Sequence, residues 1–93
     1  MMTSKTKTSF YRRLFVAYLI DCGINTIPKI QAEVTIPRRT LQDTICALGE
    51  IDISCQFIGA PKNGHYVIES WGAIDKSWIK ENIDRLRLVL NYR

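Results

Sequence analysis

At 93 residues, 46% of them hydrophobic and 24% charged, the chain has room for one small domain but not two, and its composition excludes an intrinsically disordered segment. The apolar run Leu14–Ile20 is far short of the roughly 18–20 residues that span a bilayer and is followed by Asp21 without a small-residue cleavage site, so a cytoplasmic protein with no membrane partner is expected. The net charge is +4 but uneven: residues 1–42 carry seven basic against two acidic side chains and residues 43–93 six against seven, which suits a polyanionic partner.

In chain order, residues 1–9 (MMTSKTKTS) are polar and read as a flexible tail, with Ser9 as N-cap of the first helix. That helix begins at Phe10. Its apolar residues, from Phe10 and Tyr11 through Leu14–Ile20, cover nearly the whole circumference, which demands burial on more than one side. Gly23 suits its C-terminal end. Pro28 suits the first turn of a short second helix with Ile27, Ile30 and Val34 on one face. In TIPRRTLQDTICALGEI, a third helix of about Pro37–Leu48 is predicted, stopped by Gly49, with Ile36, Leu41, Ile45 and Leu48 on one stripe. Arg38, Arg39, Gln42 and Asp43 fall outside that stripe.

The pattern then changes to period two. Ser54–Gly59 and His65–Ser70 are predicted to form an antiparallel hairpin, with Asn63-Gly64 as the turn signal and Lys62 and Asn63 at its tip. A last helix of about Asp75–Asn91, capped by Asp75 or Ser77, carries Ile74, Trp78, Ile79, Ile83, Leu86 and Leu90 at helical spacing. The three cysteines, Cys22, Cys46 and Cys55, contain no CxxC pair and are expected as buried reduced thiols. A zinc site combining them with His65 matches no metal-binding spacing, and no cofactor is expected.

The run Ile36-Pro37-Arg38-Arg39-Thr40-Leu41, followed by Ile45, Leu48 and a hairpin, resembles the helix-turn-helix and wing of bacterial winged helix-turn-helix transcription regulators. The resemblance covers about residues 10–70. It implies an α+β, mostly α fold: a three-helix core, a β-hairpin wing and a C-terminal helix. It implies a winged domain over 10–72, and a C-terminal helix over 73–93 is a common extension in such families. It also implies double-stranded DNA as the partner, with the third helix in the major groove. Arg38 and Arg39 are placed to read guanine and Gln42 to read adenine, with Thr40 a phosphate contact or local cap. Lys29, Lys62 and Asn63 complete the expected DNA contacts.

Asp43 departs from the usual basic or neutral residue. It repels phosphate, and it either accepts from cytosine N4 or pairs with Arg39 one turn earlier. Lys5, Lys7, Arg12 and Arg13 make either a phosphate-facing patch or a solvated surface. His65 reads as a strand residue. With a single histidine and no nucleophile, phosphate-loop or ligand motif, an enzyme is not expected. The apolar last helix predicts a homodimer through Trp78, Ile79, Ile83, Leu86 and Leu90. The competing reading is a winged helix that binds protein instead of DNA. A sensor of a small-molecule effector is a third reading, although no effector pocket is legible.

Overall fold

The first helix is longer than its apolar run. The computed structural model describes residues 4–92, and α1 spans Lys5–Asp21. Residues 5–9, expected in the flexible tail, therefore belong to this helix; residues 1–3 of that tail lie outside the described residues. Ser4, not Ser9, is the N-cap: its Oγ accepts from the Lys7 N–H at 3.1 Å, and the Thr8 hydroxyl donates to the Ser4 carbonyl at 3.0 Å. Polar residues suit an exposed helical turn as well as a tail, because lysine is a good helix former. The other end follows the sequence. Gly23, at φ 96°, turns the chain out of the helix, while the N–H groups of Gly23 and Ile24 close on Ile20 and Leu19 at 3.1 and 2.9 Å, satisfying carbonyls the helix end leaves open.

Helix α2 (Ile27–Glu33) is capped by Thr26, whose hydroxyl accepts from the Lys29 N–H at 3.2 Å. A tight turn leads to α3 (Arg38–Cys46). Val34 and Ile36 of that turn are buried, and the Gln31 side chain spans it by donating to the Ile36 carbonyl at 3.1 Å. Ile27, Ile30, Leu41, Ile45 and Leu48 are all buried, as the two apolar stripes require. The expected third helix is shorter than read. It ends at Cys46, and Ala47–Ile51 form a 3₁₀ turn that contains Gly49.

Strands β1 (Ser54–Ile58) and β2 (His65–Ser70) pair antiparallel, with Cys55 opposite Ile68 and Phe57 opposite Tyr66. The turn chemistry differs from the expectation. Neither Asn63 nor Gly64 has a positive φ; Gly59 does, at 98°, and the loop closes by the Asn63 N–H donating to the Ala60 carbonyl at 3.1 Å. Gly64 is required by space instead. A Cβ there would lie 2.6 Å from Phe57 Cζ and 2.7 Å from the Ala60 oxygen. The ring can swing aside but the backbone oxygen cannot. Gly64→Ala is therefore expected to destabilise the wing by about 1–3 kcal/mol, read as a lower Tm in a thermal melt.

The wing is tied to the core at its base. The Tyr66 N–H donates to the Asn25 carbonyl at 2.8 Å, and Cys55, Tyr66 and Ile68 pack on the core. Helix α1 runs through the centre: Phe15, Val16 and Ala17 are wholly buried, and the helix packs against α3, β2 and the two C-terminal helices. This is the burial on several sides that its all-round apolarity predicts.

The single last helix is two. Asp75 caps α4 (Lys76–Glu81), its Oδ1 accepting from the Ser77 N–H at 2.9 Å, and α5 (Ile83–Leu90) follows after Asn82. Asn82 breaks the run by satisfying helix-end groups locally: its side chain donates to the Trp78 carbonyl at 2.8 Å and its N–H to Trp78 and Ile79 at 3.0 and 3.1 Å. Asparagine side chains compete with the helical ladder in this way. The dimer residues need correction too. Ile79 and Leu86 are 0% exposed and Leu90 is buried, so these three belong to the chain's own core. Trp78 remains exposed and Ile83 half-buried.

Two contacts lock the C-terminal end onto α1. The Arg12 Nε donates to the Tyr92 hydroxyl at 3.0 Å, and the Tyr92 and Phe15 ring centroids lie 5.5 Å apart. An ion pair between Lys76 and Asp21 ties α4 to the end of α1. The hydrogen bond to Asp21 raises the Lys76 pKa. The cysteines also differ from expectation: Cys22 and Cys46 are exposed, and only Cys55 is half-buried.

Candidate nucleic-acid interface

The exposed surface of α3 divides by helical geometry. Residues advance about 100° each around a helix, so Arg38 and Gln42, four apart, share one flank. Arg39 points outward, and Thr40 and Asp43 lie on the opposite flank. Arg38, Arg39, Gln42 and Asp43 are exposed; Thr40 is half-buried, and its carbonyl accepts from the Thr44 hydroxyl at 2.7 Å.

The first flank faces the wing. Arg38 and Gln42 line a groove of about 540 Å³ whose other wall is built from Phe57, Tyr66, Pro61 and Lys62. The strand register makes that wall. Phe57 and Tyr66 are cross-strand partners on one face of the hairpin, 5.0 Å between ring centroids and edge to face. Beyond the point where that face meets the core, Phe57 is left 44% exposed. Burial raises the Tyr66 pKa; Cys55 and Cys46 act in the same direction, and the neighbouring Arg38 opposes the shift. An adjoining depression brings Lys29 of α2 together with Lys62, Asn63 and His65 of the wing. The two hollows adjoin, sharing Thr26, Lys62 and Gly64 in their linings. Among the described residues, no carboxylate lines either.

The second flank faces α1. Thr40 and Asp43 share a hollow with Ser9, Arg12 and Arg13. Asp43 forms no ion pair with Arg39: the ion pairs among the described residues are Arg13–Glu50, at 3.3 Å, and Lys76–Asp21. The hollow it shares brings it together with Arg12 and Arg13 of α1, for which the sequence allows either a phosphate-facing patch or a solvated surface.

The expected contact residues thus fall in two groups, one on each flank of α3. Arg38, Gln42, Lys29, Lys62 and Asn63 line the two adjoining hollows, Thr40 and Asp43 lie with Arg12 and Arg13, and Arg39 stands between. Sequence reasoning missed the apolar wall of the groove. Phe57, between Gln56 and Ile58, and Tyr66, between His65 and Val67, read as ordinary strand residues; only the register shows them as a pair.

A three-helix core whose third helix is held outward beside a two-stranded wing defines a winged helix. The sequence model of the winged helix-turn-helix family matches residues 5–90, and the chain belongs to that family. Among solved structures, the crystal structure of a DUF2131 family protein from Shewanella amazonensis SB2B is similar over 98% of this chain and 91% of its own, with a TM-score of 0.90 and 30% identity. No curated protein matches the sequence. Among the described residues, no helix is long and apolar enough to cross a membrane.

Proposed function

We propose that the chain is a sequence-specific double-stranded-DNA-binding protein of the cytoplasm, a bacterial or phage transcription regulator without enzymatic activity. The observation that carries this reading is the exposure of Arg38, Arg39 and Gln42 over the first turns of α3, beside hollows that reach Lys29 and the wing's Lys62 and have no carboxylate in their linings. The N-terminal turns of such a helix are the part that enters the major groove. Arginine binds guanine O6 and N7 in a bidentate fork, and glutamine pairs with adenine. Lys29 and Lys62 lie to the side and contact phosphates. Selection from a random duplex library tests the reading: a shared motif among the bound sequences supports it, and no enrichment favours a protein-binding winged helix.

Asp43 tunes the electrostatics of the same face. It lies beside Arg12 and Arg13 and offsets their pull on phosphate. Asp43→Asn is expected to strengthen nonspecific binding and steepen its salt dependence while sequence preference stays unchanged. Gel-shift titrations against specific and scrambled duplexes measure this; a changed preference at one base pair would instead place Asp43 on a cytosine.

Two copies reading a palindrome remain part of the proposal, with the dimer surface redrawn. Leu88, 82% exposed on the side of α5 away from the core, together with Trp78, takes the place of Ile79, Leu86 and Leu90. Light scattering at micromolar concentration is expected to give twice the 10.7 kDa chain mass, and Leu88→Lys a folded monomer. A wild-type monomer at high concentration, with and without DNA, removes the dimer.

A further inference from the structure

A wing that only touches phosphate needs cations, not an exposed aromatic ring. The groove between α3 and the wing has both. Phe57, nearly half exposed and braced edge-on by Tyr66, stands in a wall opposite Arg38, with Lys62 beside it and Lys29 further along the same track. Three cations and no carboxylate favour a polyanion. The aromatic pair favours something with a planar face as well as a charge. Asn25 borders the far end.

We infer that this groove is a single-stranded DNA track, in which an unpaired base stacks on Phe57 while Arg38, Lys62 and Lys29 hold the phosphates on either side of it. The inference rests on the DNA-binding reading of the same face and adds to it a preference for an unpaired strand at the wing. Proteins that bind single strands combine a cationic groove with aromatic platforms in this way, because every base has a stacking face. Two adjoining hollows, each with a lysine in its lining, point to a strand and not to a free nucleotide. A mononucleotide occupies one hollow and leaves Lys29 without a phosphate.

Anisotropy titrations of the full chain separate the possibilities, with labelled oligo(dT), a labelled duplex carrying the selected motif, and free AMP as competitor. Oligo(dT) is expected to bind in a salt-sensitive manner. Phe57→Ala should weaken it by about tenfold or more, the loss of one stacked base, while binding to the selected duplex changes by less than about twofold. Phe57→Trp should restore the strand affinity, which guards against mere disruption of the wing. Three results overturn the inference: duplex binding without oligo(dT) binding, oligo(dT) binding indifferent to Phe57→Ala, or AMP competing as well as the oligomer. The first of these leaves the duplex-binding reading intact. Binding to oligo(dT) but to no duplex overturns that reading and leaves the strand track standing.

Discussion

Leu86→Ala is expected to lower the unfolding free energy by about 2–5 kcal/mol, the usual cost of truncating a fully buried leucine. Leu86 has no exposed surface, and α5, which carries it, packs against α1 at the centre of the domain. A domain of this length is held by only about 5–15 kcal/mol, so the variant should unfold at markedly lower urea. Leu88, two residues on and 82% exposed, provides the contrast: Leu88→Ala should act only through the proposed association, so its effect on the urea midpoint fades as the protein is diluted. The comparison separates a core residue from a residue of the proposed dimer surface. If Leu86 faced a second copy instead, its replacement would shift the association equilibrium, and stability would depend on protein concentration. Chemical denaturation of both variants at two protein concentrations decides between these outcomes.

The second large effect concerns recognition. Arg38→Ala or Arg39→Ala is expected to weaken binding to the selected duplex by about 1–3 kcal/mol and to relax preference at one position. Lys62→Ala should weaken binding to all sequences alike and flatten the salt dependence. The two arginines are not equivalent. Arg38 shares its flank with Gln42 and borders the wing groove, whereas Arg39 points outward between the flanks. Arg38→Ala should therefore also weaken single-strand binding, and Arg39→Ala should act on the duplex alone. Equal preference in the wild type and the double variant would count against base readout by this helix.

Much of the fold is legible in the residue pattern. The helix-turn-helix is written in Ile27, Ile30 and Val34 and again in Ile36, Leu41, Ile45 and Leu48, because an apolar residue every three or four positions has one helical solution. The strands are legible to within a residue, and β2 begins and ends as predicted. Three features were hidden for physical reasons. The first turn of α1 is polar because it faces solvent, and polarity alone does not distinguish helix from tail. The break at Asn82 depends on one side chain outcompeting the ladder, while the apolar spacing around it continues across the gap. The core-facing side of the last segment is not legible, because a buried face looks the same whether the chain or a second copy covers it.

The candidate site was half legible. Basic and amide side chains at the start of a helix announce themselves, and Arg38, Arg39 and Gln42 are exposed as expected. The groove beside them is a product of register. Phe57 meets Tyr66 only when Cys55 lies opposite Ile68, and its ring has room only because residue 64 lacks a side chain. The electrostatics of Asp43 were hidden too, since Arg12 and Arg13 reach its neighbourhood from another helix some thirty positions away in sequence.

The central claim is that the face built by α3 and the wing reads duplex DNA. It is tested most directly by anisotropy titration of the wild-type chain against two duplexes of equal length, one carrying the selected motif and one scrambled, each at low and physiological salt. Affinity for both should fall with salt as phosphate contacts are screened, and at physiological salt the motif should be bound at least about 10³-fold more tightly than the scrambled duplex. Equal affinity for the two duplexes at both salts, or no binding to either, would contradict it.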